Sequence, residues 1–315
     1  MEYNKPILDM AYGQEIEGFY LLKGAYLKTT SAGKSFLSAV LSDKTGVIDA
    51  KVWDYKGPLG GPDAGKIVKI RGEVSEFKGT PQITVSRLRL ADENDRYDVS
   101  TLVPVAPIDV EETLGKIHSL VRSIGDEDYR RVSETLLERH LVAFQSIPAA
   151  KSVHHSFLSG LLMHTFHMLQ TADFLSELYA NVIDRSLLLT GTLLHDFAKE
   201  YEFTFSGLGM VTDYSVKGQL LGHLVMGAQE VAETEKSLGI PEEKSLLLQH
   251  MILSHHGEPE FGAAVRPLCA EAELLSCIDS IDSRMEIYAE ALAEVPVGEF
   301  SSRIFALDKK LYHHA

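Results

Sequence analysis

Apolar positions along this chain change their period once, and the change divides it in two. Between residues 17 and 90 apolar and polar side chains alternate, the period of a strand with one buried face. The run 18–29 carries Tyr20, Leu22, Gly24 and Tyr26 in alternation. Ser31-Ala32-Gly33-Lys34 reads as a turn, 35–41 as a second strand, Asp43-Lys44-Thr45-Gly46 as a hairpin turn, and 47–53 as a third strand. A Gly/Pro loop over 57–65 precedes two more runs, 66–77 and 81–90, joined by Lys78-Gly79-Thr80. Helical spacing appears at 111–124 (Leu114, Ile117, Leu120, Val121, Ile124) and at 126–144, and from Ser156 onward almost everything reads as helix.

Five short strands with the main interruption between the third and fourth point to a small closed barrel of the oligonucleotide-binding (OB) type over residues 1–95. In its middle hairpin, period two sends Leu37, Ala39, Leu41, Ile48, Ala50 and Val52 inward. Phe36, Lys51 and Trp53 then lie outside. An aromatic beside a lysine is what base stacking plus phosphate attraction requires; the alternative is that the two rings cover the barrel or pack on the second domain. Residues 91–110 turn acidic and then carry Pro104 and Pro107, which marks a boundary. The expected organisation is an all-β barrel, a linker and helical segment over 96–150, and an all-α domain over 151–315.

Composition narrows the class. An apolar fraction of 45% suffices for a core. No apolar run approaches the ~20 residues that span a bilayer, so no membrane partner is expected. The N-terminus lacks a signal pattern. Cys269 and Cys277 lie eight apart on one apparent helix, about 12 Å of rise and too far for a disulfide, which fits a reducing cytoplasm. Residues 1–95 balance at 13 Lys+Arg against 13 Asp+Glu, so the whole net charge of −15 falls on the rest. An acidic helical half is a poor passive sleeve for nucleic acid, whose phosphates need cations. Any such polymer is expected to dock on the barrel.

The helical half carries the chemistry. His164 interrupts an apolar segment, and His195-Asp196 ends the apolar segment 187–194. His223 follows Gly222, His255-His256 closes a helix before Gly257, and Asp279 and Asp282 lie three apart. A polar side chain in such a place needs a partner or destabilises the fold. A shared metal site satisfies all of them at once. Imidazole and carboxylate together suit Mn²⁺, Fe²⁺ or Ni²⁺, with Mn²⁺ favoured and Co²⁺ or Mg²⁺ as further candidates. Lys199, three residues after Asp196, either holds a substrate phosphate or is a solvated lysine at a helix end.

The order His…His-Asp…Asp with intervening histidines resembles the HD phosphohydrolase superfamily. The phrases His154-His155…Gly160-Leu161-Leu162-Met163-His164-Thr165 and Ser254-His255-His256-Gly257, the segment Glu271-Ala272…Ile278-Asp279-Ser280-Ile281-Asp282, the tail Arg303-Ile304-Phe305-Ala306-Leu307 and the upstream barrel are similar to the YhaM-type 3′→5′ exoribonucleases. That resemblance implies a first metal held by His164, His195, Asp196 and Asp279. It implies that Asp196 bridges to a second metal at His223 and His255, with His256 close by. Asp282 would orient a ligand from behind. His154 or His155 would protonate the leaving group, unless local packing explains them. The implied activity is hydrolysis of single-stranded RNA, with single-stranded DNA as a second substrate, from the 3′ end to nucleoside 5′-monophosphates. Separately, an acidic body that handles nucleic acid would gain by assembling as a homo-oligomer around a shared channel. The alternatives are a phosphohydrolase of nucleotides or cyclic dinucleotides whose barrel serves regulation or assembly, and a non-catalytic nucleic-acid binder with a relic site, which the complete ligand set disfavours.

Overall fold

A computed structural model describes residues 2–30, 33–151, 155–293 and 295–315. A short β1 (Glu2–Tyr3) runs parallel to β2 (Glu15–Thr29). The barrel continues with β3 (Ser35–Asp43), β4 (Gly46–Trp53), β5 (Ile67–Phe77) and β6 (Thr80–Leu90). The order is β1-β2-β3-β4-β6-β5, and β5 pairs back onto β2 to close a five-stranded OB barrel. β2 serves two neighbours because it is long: residues 15–21 pair with β5 and residues 21–29 with β3.

A bulge between Leu22 and Gly24 shifts the phase of β2. Tyr20 and Leu22 are therefore buried, but the next inward side chain is Ala25, and Tyr26 is exposed. The simple alternation read through Tyr26 ends at that bulge, where one extra residue turns the rest of the strand onto its opposite face. A second bulge falls between Arg71 and Gly72. A Cβ at Gly72 would meet the Thr84 carbonyl oxygen at 2.5 Å, so only glycine lets β6 approach there. Leu37, Ala39, Leu41, Ile48, Ala50 and Val52 all enter the barrel core, each of the larger ones worth about 1.5–3 kcal/mol of burial.

The first compact unit is Met1–Val105 together with Ser206–Leu208, and the second, helical unit is Ala106–Phe205 with Gly209–Ala315. The helical unit comprises α1 (Val110–Arg122), α2 (Glu127–Ser146), α3 (Gly160–Leu178), α4 (Arg185–Leu194) and the single turn α5 (Lys199–Glu202). After these come the hairpin β7 (Phe203–Phe205) and β8 (Val211–Tyr214), α6 (Val216–Leu238), α7 (Glu242–Ser254) and α8 (Ala270–Ala293). Asp109, Asp126, Asp184 and Ser215 cap α1, α2, α4 and α6 by accepting from backbone N–H groups of the first turn, which satisfies donors the helix leaves open. The hairpin departs from the nearly all-helical reading of this region. Phe203-Thr204-Phe205 is too short a run to oppose helical spacing, and Gly207 and Gly209 supply the turn.

α4 forms the centre of the helical core. Every residue from Leu187 to Leu194 is buried. Gly191 allows the closest approach, since a Cβ there would lie 2.4 Å from the Met251 methyl group on α7. Among the described residues no helix is long and apolar enough to cross a membrane.

Candidate metal centre

α4 ends at His195, and the chain turns through Asp196, Phe197 and Ala198 before α5. That turn delivers His195 and Asp196 to one point in the interior. His164 arrives from the first turns of α3 and Asp279 from α8. His164 Nε2 lies 3.2 Å from His195 Nε2, 3.7 Å from Asp196 Oδ2 and 3.4 Å from Asp279 Oδ1. His195 Nε2 is 3.3 Å from Asp196 Oδ2.

The other Asp196 oxygen faces a second group. Oδ1 is 3.3 Å from His223 Nε2 and 3.7 Å from His255 Nε2. His223, His255 and His256 can bring one ligand atom each within 4.8 Å of one another. Two glycines place them. Gly222 has φ 71°, which breaks α6 and restarts it at His223; a residue with a Cβ pays a steric cost in that region. Gly257 has φ 78°, and a Cβ on it would meet Ser276 Oγ at 2.6 Å, so the turn after His256 lies tight on α8.

Four of these rings are oriented alike. His164 Nδ1 donates to Asp282 Oδ2 at 2.7 Å, and His223 Nδ1 donates to Glu202 Oε1 at 2.9 Å. His195 Nδ1 donates to the Thr192 carbonyl and His255 Nδ1 to the Ile252 carbonyl, both at 2.8 Å. Binding the proton on Nδ1 leaves the Nε2 lone pair aimed at Asp196, the tautomer a metal requires.

The buried atoms fit such an ion. Asp196 Oδ1, His223 Nε2, His255 Nε2 and His256 Nδ1 have no hydrogen-bond partner, and each such atom costs about 1–3 kcal/mol if left so. Their donor chemistry suits a divalent transition-metal cation. Burial pushes His255 well below its ordinary range, and the neighbouring His195 and His256 add to that. It lowers His256 too. Both rings are therefore neutral near pH 7, the form that can bind a metal. Burial would also lower His164, but Asp279 and Asp282 outweigh it and hold the ring up at about 9. A cation drawn by the same carboxylates would take that proton's place. Burial disfavours charge on Asp196, yet Lys199 and His195 outweigh it and hold the carboxyl well below the usual range.

The remaining sequence-derived residues divide. Lys199 Nζ donates to Asp196 Oδ2 at 2.5 Å; it is nearly buried and lines the cavity beside the histidines. Asp282 accepts from His155 Nε2 at 2.7 Å, from His164, and from His167 Nδ1 at 3.2 Å. His155 is fully buried behind His164, which places it at Asp282 rather than on the cavity wall. His154 lies outside the described residues. On the barrel, Phe36 and Trp53 stack with centroids 4.9 Å apart on the outer face, and Trp53 remains half exposed. Lys51 donates to Ser38 Oγ at 2.7 Å and sits 3.8 Å from Asp49.

Three residues escape a reading of the sequence. His167 is one turn beyond His164 on α3, a spacing the sequence does display. Glu202 carries no signal, because it comes into place only when α5 folds against the break at Gly222. Arg284 is one turn past Ser280 on α8. With Tyr214 and Phe261 it lines the cavity of about 870 Å³ that opens onto His223, His255 and Asp279, and it makes no ion pair among the described residues.

Residues 163–284 match the HD domain family, and residues 21–91 match the OB-fold nucleic acid binding domain family. Among solved structures the chain is similar to the second OB-fold domain of replication protein A from Methanococcus maripaludis: 17% identity, 31% of this chain and 100% of that one, TM-score 0.23. It is also similar to a replication protein A heterotrimer bound to ssDNA, at 18% identity over 29% of this chain and 72% of that one, TM-score 0.21. A third is an aspartyl tRNA synthetase from Entamoeba histolytica, at 9% identity over 54% of this chain and 35% of that one, TM-score 0.19. The HD match indicates a metal-dependent phosphohydrolase domain, and the His/Asp clusters within it could hold a metal ion. Its companion matches an OB-fold nucleic acid binding domain, and the two matches together support a hydrolase that acts on nucleic acid.

Proposed function

We propose that this protein is a 3′→5′ exonuclease of the YhaM type, which hydrolyses single-stranded RNA, and single-stranded DNA as a second substrate, to nucleoside 5′-monophosphates. One observation carries the catalytic half: both oxygens of Asp196 face separate histidine sets in a buried helical interior. In this reading His164, His195, Asp196 and Asp279 hold one divalent cation. Asp196, His223, His255 and His256 hold a second. Mn²⁺ is the favoured ion. Such a pair, when bound, supplies a deprotonated water near neutral pH and neutralises charge at phosphorus.

The chain's own groups do the rest. Asp282 and Glu202 fix the rings of His164 and His223. Lys199, held against Asp196, presents its ammonium to a non-bridging phosphate oxygen. Arg284, Tyr214 and Phe261 give the cavity a cation and two ring faces for the terminal nucleotide. Phe36, Trp53 and Lys51 hold the strand on the barrel. The direction of digestion rests on the resemblance of the histidine and aspartate order to that family. Two free cysteines suit a cytoplasmic home.

The test is digestion of 5′-labelled single-stranded RNA with Mn²⁺. A ladder that shortens from the 3′ end, with 5′-monophosphates released, is the expected result. Intact RNA beside rapid hydrolysis of free nucleotides or cyclic dinucleotides would overturn it.

A further inference from the structure

The outer face of β5 and β6 holds four cations in a two-by-two block. The register sets Lys69 opposite Arg89 and Arg71 opposite Arg87. On each strand the two cations are two residues apart and so share a face. Like charges placed directly across a ladder are destabilising, so a barrel that keeps two such pairs side by side has another use for them.

Their neighbours neutralise only one pair. Arg89 makes two hydrogen bonds to Asp95, at 2.6 and 2.7 Å, and lies 3.3 Å from Asp92. Lys69 meets Glu17 at 3.4 Å. Glu17 stands opposite Arg71 in the β2–β5 ladder, yet its ion pair is with Lys69. Arg71 and Arg87 make no ion pair among the described residues. Both line a cavity of about 590 Å³ that also reaches Val52 and Ile70 of the barrel core and the half-buried Tyr55 and Leu88 packed against that core.

We propose that this cavity is a second strand-binding site, in which Arg71 and Arg87 hold backbone phosphates of single-stranded nucleic acid and Tyr55 receives a base. Guanidinium forks match phosphate oxygens in geometry as well as charge. An adjoining ring face is what a nucleobase uses and an acidic peptide does not. The site lies on the fourth and fifth strands of the barrel. It is distinct from the Phe36–Trp53 face on the second and third, where this fold usually reads its ligand. A strand engaging both faces wraps part of the barrel. The site rests on the nucleic-acid half of the proposed function and not on its hydrolytic half.

Fluorescence anisotropy of the full chain with 5′-fluorescein oligo(U), in EDTA and between roughly 50 and 200 mM salt, tests it. Arg71→Gln/Arg87→Gln weakens binding by about tenfold or more. The slope of log affinity against log salt becomes shallower by about 1.4, at about 0.7 for each single-strand phosphate no longer neutralised. A second variant, Arg87→Glu, turns a repulsive cross-strand pair into an attractive one. It melts at or above the wild-type temperature while binding RNA less tightly, an opposition that a structural role would not produce. Wild-type affinity and slope in both variants would overturn the site. So would loss of all binding on Trp53→Ala with the arginine variants unaffected, or a wild-type chain that binds no RNA. Binding that depends on these arginines in a protein that never degrades RNA would uphold the site and sink the exonuclease reading instead.

Discussion

The barrel and the helical domain treat charge in opposite ways. Among the described residues the buried polar groups of the barrel are two serines, Ser38 and Ser42. The helical domain buries His140, His155, His164, His195, Asp196, Glu202, His223, Glu235, His255 and Glu271. Several of its titratable groups are inside, whereas the charged groups of the barrel are on the surface. A β-barrel of this size fills its interior with side chains, leaving no room for a solvated site. Its outer face is the only place for polar chemistry, and there contacts are exchanged with solvent and weakened by salt. A helical bundle can aim side chains from several helices at one internal point, where a low dielectric strengthens each interaction. On the proposed function this difference is a division of labour: holding belongs to an outer surface, and bond breaking to an interior.

Asp196→Asn tests that division most severely. Hydrolysis should fall by at least about 10²–10³-fold, the scale on which loss of one key electrostatic contact acts. RNA affinity measured in EDTA should stay at the wild-type value. Asn is preferred to Ala because removing the side chain leaves Lys199 buried and unpaired, which costs about 3–5 kcal/mol. Loss of RNA binding along with activity would mean that the interior does the holding.

Asp282→Asn sharpens the comparison. Asp282 accepts from the rings of His155, His164 and His167, so on the proposed function its loss should lower affinity for Mn²⁺ by about 10–100-fold, as read by isothermal titration. An unchanged affinity would show that packing alone fixes His164.

The smallest effect concerns Glu235. It accepts from Ser245 Oγ at 2.5 Å, but burial dominates and pushes its carboxyl up to about 7. A carboxyl raised on folding contributes fully below about pH 4.5, and that contribution is lost as pH rises through about 7. Glu235→Gln should therefore raise the melting temperature at pH 8, by about 2–4 °C for each kcal/mol recovered, and change little at pH 4. An equal gain at both pH values would show that charge is not the cause.

Much of this architecture is legible in the chain because local periods carry it. Strand alternation at 35–53 identifies the inward set of the barrel, since a one-residue slip there would turn six apolar side chains to water. The interior histidines stand out because each breaks an apolar run, and the structure brings those of α3, α4, α6 and α7 to one carboxylate. The features that escape depend on long-range register. Arg71 meets Arg87 only through a bulged ladder. Glu202 meets His223 only because α5, a single turn, folds back on α6. The hairpin at Phe203–Phe205 is too short to announce itself against the helices on either side.

Consider last the break at Gly222. Its left-handed torsion restarts α6 at His223, whose buried backbone N–H donates to the same Glu202 oxygen, at 3.0 Å, that its own ring bonds. A single carboxylate oxygen thereby serves as both a helix cap and a ring clamp. Any L-residue at 222 would press the backbone toward an unbroken helix, undocking cap and clamp together. The aim of an imidazole is thus set by a torsion with no side chain of its own, and a metal-affinity phenotype at this position would come from chirality alone.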